Sequence, residues 1–281
     1  MNHSTTETAW GRLDASRDEG ERAPRIGIII PACNEEPCIG PVLEELLSVI
    51  DPAKYVVAVG VNGSTDRTAE IARRHGVVVT ETPMRGYGFG CQSAIAQLMR
   101  ENPTVEAFVF YAGDGASDPR DIRALVEAFE NGYALVLGAR TTVQRNWRTM
   151  SVSHVVANFA LALWCGLLTR RWFTDLGPHR LIDRELFNAI APEEMTFGWT
   201  IEAQMIAALL KARIIEVPVR ERERLGGQQK VSGVNWHRTF SIGCRIVAAG
   251  WRTQARFRRL QRESTTALTV ELGAPSNPSA S

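Results

Sequence analysis

The stretch RIGIIIPACNEE (residues 25–36) decides the fold. From Ile26 to Ile30 it is apolar at successive positions, so both faces of the strand it forms must be buried. Strands of that kind belong to parallel sheets covered by helices. The same short, β-branched-rich run returns at Tyr55 to Val61, Val77 to Thr80, Ala107 to Tyr111 and Ala134 to Ala139. Between these runs, Cys38 to Ile50, Asp66 to His75, Phe89 to Glu101 and Asp121 to Asn131 place apolar residues at i, i+3 and i+4, the spacing of amphipathic helices. Alternating βα units predict an α/β fold, a Rossmann-like, mostly parallel sheet flanked by helices. Beyond Arg140 the pattern changes. A polar segment (Thr141 to Met150) leads to an apolar one (Val155 to Leu168), a strand near Leu181, a helix from Thr200 to Lys211 and a strand from Ile214 to Arg220. No internal repeat is visible.

At 281 residues and 44% hydrophobic, the chain can bury a large core. One large or two intimate domains fit, at about 150 residues each. Disordered, collagen-like and disulfide-scaffold classes are excluded. Five cysteines, an odd number without a CxxC pair, indicate neither a disulfide framework nor a zinc site. Residues 1–23 and 263–281 read as disordered tails rich in Ser, Thr, Pro and charge. The first has no apolar core of a secretory signal, so the expected compartment is the cytoplasm. Val155 to Leu168 is shorter than the ~18 apolar residues a membrane span needs.

Formal net charge is +1, which argues against nucleic acid as a general partner. The total hides a split, because residues 211–262 hold 13 Lys and Arg against 3 Asp and Glu, a net of +10. Residues 236–262 read as a basic amphipathic helix carrying Trp236, Phe240, Trp251 and Phe257. Such a helix either meets an anionic membrane surface peripherally or packs on the main domain with a solvated arginine face.

In open α/β sheets, ligands bind beyond the carboxyl ends of the strands. The loops there are Pro31-Ala32-Cys33-Asn34-Glu35-Glu36, Asn62-Gly63-Ser64-Thr65-Asp66, Gly113-Asp114-Gly115 and Gly138-Ala139-Arg140. They bring polar and acidic groups to one rim, as a sugar-and-base ligand requires. Each also has a plainer reading: Ser64 to Asp66 as a helix N-cap cluster, Gly113 to Gly115 as a turn, and Asp118-Pro119 as N-cap and first helical residue. Gly86-Tyr87-Gly88-Phe89-Gly90 does not follow its strand directly, so it is not a dinucleotide-binding loop.

In order along the chain, IIIPACNEE, NGSTDRTAEIAR, RGYGFG, FYAGDGASDP, VLGAR, FTDLGPHR, FGWTIEAQ and EVPVRERERLGGQQK resemble the family 2 glycosyltransferases of GT-A fold, in the polyprenyl-phosphate (dolichyl-phosphate) sugar synthase-like branch. The resemblance spans about residues 25 to 235. It implies a nucleotide-sugar-binding half over residues 24–140 and an acceptor-binding half over 141–235. The donor would be a UDP- or GDP-sugar. Pro31, Ala32, Asn34 and Glu35 would contact the nucleoside. Asn62, with Ser64 beside it, stands where relatives read the base with an acid. Arg85 and Gly86 would lie beside the diphosphate, and Arg140, Arg224 and Lys230 match positions that face donor or acceptor phosphates.

The resemblance also implies Mg²⁺ or Mn²⁺ on an Asp-x-Asp motif, but here that motif reads Ala112-Gly113-Asp114 and continues to Ala116. Gly113 and Asp114 alone match. Three outcomes stand open: a metal held at Asp114 mainly through substrate, metal-independent transfer with arginines supplying charge, or a catalytically weakened nucleotide-binding paralogue. Inverting displacement onto a polyprenyl phosphate needs no strong base. A hydroxyl acceptor, as on a soluble natural product, would need a carboxylate, for which Asp175 and Glu202 are the candidates. His179, in place of an aromatic, reads as a structural histidine. The expected location is cytoplasmic, at the inner face of the membrane if the basic helix docks there.

Overall fold

The structure is a computed structural model describing residues 25–150, 152–196, 198–226 and 236–273. Seven strands form one sheet: β1 (Ile26–Ala32), β2 (Tyr55–Asn62), β3 (Val78–Thr82), β4 (Ala107–Phe110), β5 (Leu135–Ala139), β6 (Arg180–Asp183) and β7 (Ile214–Pro218). Their order is β3-β2-β1-β4-β6-β5-β7. All pairs are parallel except those of β6, which runs antiparallel between β4 and β5. The α/β fold expected from the runs is therefore the one observed.

The helices are α1 (Glu36–Val49), α2 (Thr68–Arg74), α3 (Tyr87–Glu101), α4 (Ile122–Glu130), α5 (Val152–Thr169), α6 (Arg184–Ile190), α7 (Trp199–Leu209) and α8 (Trp236–Gly273). Two apolar layers follow from the two-sided strands. One packs Val42, Leu43 and Leu46 of α1 and Leu125 of α4 on Ile28, Ile30 and Val109. The other packs Leu98 of α3 and Met205 of α7 on Ile29, Phe108 and Phe110. Alternate residues of β1 thus serve opposite layers, which is why its sequence shows no polar alternation.

Two elements differ from the sequence reading. Helix α6 was not expected; Asp183 caps it by accepting the Leu186 N–H, a local device on a segment too short for periodicity to show. Helix α8 continues past residue 262 to Gly273, since Ser and Thr lower helix propensity without breaking a helix and the first glycine–proline signal is Gly273 before Pro275.

The glycines after β3 have a structural task. Strand β2 and helix α3 meet at Gly60 and Gly90, where a Cβ on Gly60 would stand 2.0 Å from the Gly90 carbonyl oxygen. Backbone cannot yield as a side chain tip can, so Gly60→Ala is expected to lose about 3 kcal/mol or fail to fold. Gly243→Ala, on α8 with nothing within 4 Å of its Cβ position, should be neutral or slightly stabilising. Urea titration of both variants checks this. Equal stability of the two would contradict the close approach.

Candidate active site

The loops after β1 and β2 are tied together by reciprocal hydrogen bonds. Asn34, in the left-handed region at φ 53°, donates its N–H to Ser64 Oγ (2.9 Å), and its Oδ1 accepts the Thr65 N–H (2.8 Å). Glu35 N–H donates to Thr68 Oγ1 (2.9 Å) and Glu36 N–H to Asp66 Oδ2 (3.1 Å). Asn34 and Ser64 therefore shape the rim by holding each other. Pro31 and Ala32 end β1 on its floor, and Asn62 is buried at the end of β2 beside Gly90. The exposed Arg85 lays its stem over Gly63. Gly86 and Gly88 press on Met195, and the Gly88 N–H donates to the Met195 carbonyl (2.9 Å), so that amide is occupied by the chain itself instead of facing a phosphate.

Opposite this rim, the segment following β7 closes over the loop after β4. Arg222 N–H donates to the Ala116 carbonyl (2.7 Å) and Leu225 N–H to the Asp114 carbonyl (3.0 Å), with a β-bridge between Ser117 and Glu221. Gly113 packs under this loop on Ile30. Asp114 Oδ1 accepts the Ala116 N–H (3.0 Å), and its Oδ2 accepts from Arg224 Nη1 (2.7 Å). Arg224 Nη2 reaches Glu35 at 3.0 and 3.2 Å. One guanidinium thus joins the loops after β1 and β4.

The third cluster lies at the end of β5. Arg140 is buried and donates to Asp175 from its backbone N (2.7 Å), Nε (3.0 Å) and Nη2 (2.9 Å). Asn158 of α5 gives Asp175 a fourth donor (2.7 Å). Burial pushes the Asp175 carboxyl up, but the charge and hydrogen bonds of Arg140 together push it further down, so its net shift is below the ordinary carboxylate range. Glu221 stands 3.5 Å from Arg140 Nη1. Burial lifts its carboxyl to about 7, against the pull of Arg140.

The family model described as "Glycosyl transferase family 2" matches residues 27–190. The chain belongs to glycosyl transferase family 2. Among curated relatives, an uncharacterized glycosyltransferase of Mycobacterium bovis is 31% identical over 210 residues, covering 74% of this chain and 90% of the relative. A dolichyl-phosphate hexose transferase of Haloferax volcanii is 31% identical over 202 residues, covering 72% and 84%. Among solved structures, glucosyl-3-phosphoglycerate synthase from Mycobacterium tuberculosis, in complex with Mn²⁺, UDP-glucose and phosphoglyceric acid, superposes with a TM-score of 0.60 at 19% identity, covering 83% of this chain and 80% of that one. That likeness shows a shared fold, the GT-A fold.

Within this glycosyltransferase the expected site residues divide. Asn34, Glu35, Asn62, Ser64, Gly113, Asp114 and Arg224 are gathered at the strand ends. Arg140 and Asp175 are brought together too, but each is engaged with the other, so Arg140 is not free to meet a phosphate and Asp175 has no idle oxygen for a proton. Glu202 is drawn elsewhere: its carboxylate accepts the Glu193 and Glu194 N–H groups (2.9 and 2.8 Å) and pairs with Arg256 of α8 (2.9 Å). It fastens α7 and α8 to the segment before α7. Lys230 lies outside the described residues. His179 is buried edge-on to Tyr111, and burial pushes its ring down to about 4, so it is neutral.

Three residues escaped the sequence reading: Asn158, Glu221 and Arg180. Arg180, buried with its Nη1 on the Thr200 carbonyl (2.8 Å), lines a small cavity with Tyr87, Phe110 and Trp199. The available signal was the RERER run itself. In an extended segment alternate residues share a side, and Arg220, Arg222 and Arg224 all turn toward carboxylates, those of Asp121, Glu45 and Asp114.

A divalent ion would need ligands at the loop after β4. Ala112 and Ala116 offer no side-chain ligand, Asp114 is paired with Arg224 through Oδ2 and accepts the Ala116 N–H at Oδ1, and among the described residues no group of three His, Cys, Asp or Glu side chains could hold a metal. As the side chains stand, they do not fit a protein-held metal.

Two outcomes follow. Asp175→Ala should cost about 3–5 kcal/mol by leaving Arg140 buried and unpaired, measured by chemical denaturation; a loss below ~1 kcal/mol would contradict the pairing. Glu221 binds its proton more tightly folded than unfolded, so its contribution is complete below the ordinary carboxylate range and lost as pH rises through about 7. Glu221→Gln should therefore melt higher than wild type at about pH 8, with the gain shrinking toward pH 5. A gain independent of pH would contradict the assignment.

Proposed function

We propose that the protein transfers a sugar from a UDP- or GDP-sugar to a polyprenyl phosphate at the cytoplasmic face of a membrane. The observation that carries the reading is the two-sidedness of α5. Its inner face supplies Asn158 to Asp175, while its outer face exposes Val156 (62%), Phe159 (55%) and Leu167 (65%), with Trp172 (74%) just beyond. A helix reaching the site with one face and presenting an apolar stripe with the other suits an acceptor whose phosphate is polar and whose tail is hydrocarbon.

Charge supports the same reading. Helix α8 packs on α5 through Trp164 and Trp251 (ring centroids 6.2 Å apart), and Arg258, Arg259 and, beyond α5, Arg170 are exposed. Exposed aromatics and arginines together favour an anionic lipid surface. No described helix is long and apolar enough to cross a membrane, so the contact proposed is peripheral. The Haloferax relative, by its name a dolichyl-phosphate transferase, points to the same acceptor class.

In this reading residues 24–140 hold the donor and residues 141–235 the acceptor. The acceptor phosphate oxygen supplies an electron pair to the anomeric carbon as the bond from that carbon to the diphosphate oxygen breaks. That pair leaves with the nucleoside diphosphate, and the anomeric carbon inverts. The attacking oxygen is already anionic, so no base is required, consistent with Asp175 and Glu202 being engaged elsewhere. Asp175 acts as a positioning residue, holding Arg140 and α5. In the family a Mg²⁺ or Mn²⁺ ion is expected to neutralise the departing diphosphate; here that charge must be met by the chain's own cations.

Incubation with radiolabelled UDP- and GDP-hexoses and undecaprenyl phosphate in detergent should move label into the organic phase. Label appearing only in a water-soluble product would replace the lipid acceptor with a soluble one. No transfer from any nucleotide-sugar would overturn the reading. Phe159→Glu with Leu167→Glu should reduce co-sedimentation with vesicles containing phosphatidylglycerol, and unchanged binding would remove α5 from the membrane contact.

A further inference from the structure

The misfit between the side chains and a metal has a positive counterpart in Arg224. Its guanidinium occupies the space between Glu35 and Asp114, bonded to Asp114 Oδ2 at 2.7 Å and to Glu35 at 3.0 and 3.2 Å. A divalent ion at Asp114 would stand beside that guanidinium, because Oδ2 pairs with Arg224 and Oδ1 of the same carboxylate accepts the Ala116 N–H. Metal and arginine therefore compete for one place, and two cations side by side would repel.

Arg224 is also built in. On one side of it Arg222 is fixed by its N–H on Ala116 and by a two-pronged pair with Glu45 (2.7 and 2.9 Å). On the other, Leu225 is fixed by its N–H on Asp114 and lies over Gly115, where a Cβ would stand 2.6 Å from Leu225 Cγ. The backbone flanking the arginine is thus held at the β4 loop before any ligand arrives.

We propose that Arg224 takes the place of the divalent cation in this glycosyltransferase, so that the donor diphosphate binds to Arg224 without metal. This rests on the donor reading above. A guanidinium carries five N–H groups, and the four contacts to Asp114, Glu35 and the Gly226 carbonyl leave donor capacity for a phosphate oxygen. Its planar fork matches phosphate as well as carboxylate. When the sugar–diphosphate bond breaks, the remaining guanidinium N–H can donate to the oxygen that takes the electron pair, a contact that a metal fills elsewhere.

Two measurements test the substitution, on wild type, Arg224→Met and Arg224→Lys, with thermal melts confirming that each is folded. Calorimetry with UDP and GDP should give wild-type affinities that agree within about threefold in EDTA and in Mn²⁺. Arg224→Met should weaken binding in EDTA by about tenfold to a hundredfold, with partial recovery in Arg224→Lys. Paramagnetic resonance of Mn²⁺ without nucleotide should show little uptake by wild type and clear uptake by Arg224→Met, whose Glu35 and Asp114 are released. Wild-type nucleotide affinity rising about tenfold with Mn²⁺, or Mn²⁺ uptake by wild type equal to that of Arg224→Met, would overturn the proposal. Failure of either nucleotide to bind under any condition would count against the donor reading itself, and the Mn²⁺ uptake comparison would still decide the role of Arg224.

Discussion

The region at the ends of β5 and β7 is organised around the burial of Arg140 with Asp175. An arginine this enclosed must keep its charge compensated, and the requirement spreads outward from the pair. Asn158 of α5 completes the Asp175 shell, Gln204 of α7 donates to the Asp175 carbonyl, and Asn146 receives the Glu221 N–H while donating to the Arg140 and Val219 carbonyls. Arg140 directly follows β5, and Asp175 stands before β6, the strand that runs against its neighbours. The pair thus fixes where the chain re-enters the sheet. Gly177 must approach closely for this: a Cβ there would be 2.9 Å from Arg140 Nε.

The opposite side of the candidate site uses different physics. Its rim is made by neutral loop-to-loop hydrogen bonds from Asn34, Ser64, Thr65 and Thr68, closed from above by charged contacts of the segment after β7. Backbone geometry contributes at Gly60 and Gly90, which let α3 lie directly on β2 and so bring Arg85 to the edge of the Asn62–Gly63 turn. Helix α5 joins these two sides to the outside, since the residues that hold Asp175 and those that form the apolar stripe alternate around one helix.

Much of the fold was legible in the sequence because it is local. Each buried strand announces itself as an unbroken apolar run, and the polar residues that follow it mark the rim. The direction of β6 was not legible: RLID offers four residues, too few to distinguish a parallel from an antiparallel neighbour. The partners of the charged residues were not legible either. Glu35 and Arg224 meet across a separation of 189 residues, and the alternating signs along Arg220 to Arg224 do not by themselves name a partner. Glu202 looked like a helix carboxylate available for chemistry, yet an apolar environment and two backbone N–H groups enclose it. The saturation of Asp175 by four donors was not legible, because one of them comes from Asn158 of α5 and no local pattern shows that contact.

The strand-end rim and the Arg224 guanidinium together form the donor site we propose. A crystal structure of the chain with UDP, grown without divalent ions, tests it most directly. The expected result is the base beside Asn62 and the diphosphate against Arg224, between the loops carrying Glu35 and Asp114. A nucleotide seated elsewhere, or a diphosphate that leaves Arg224 paired to both carboxylates and makes no contact with it, would contradict it.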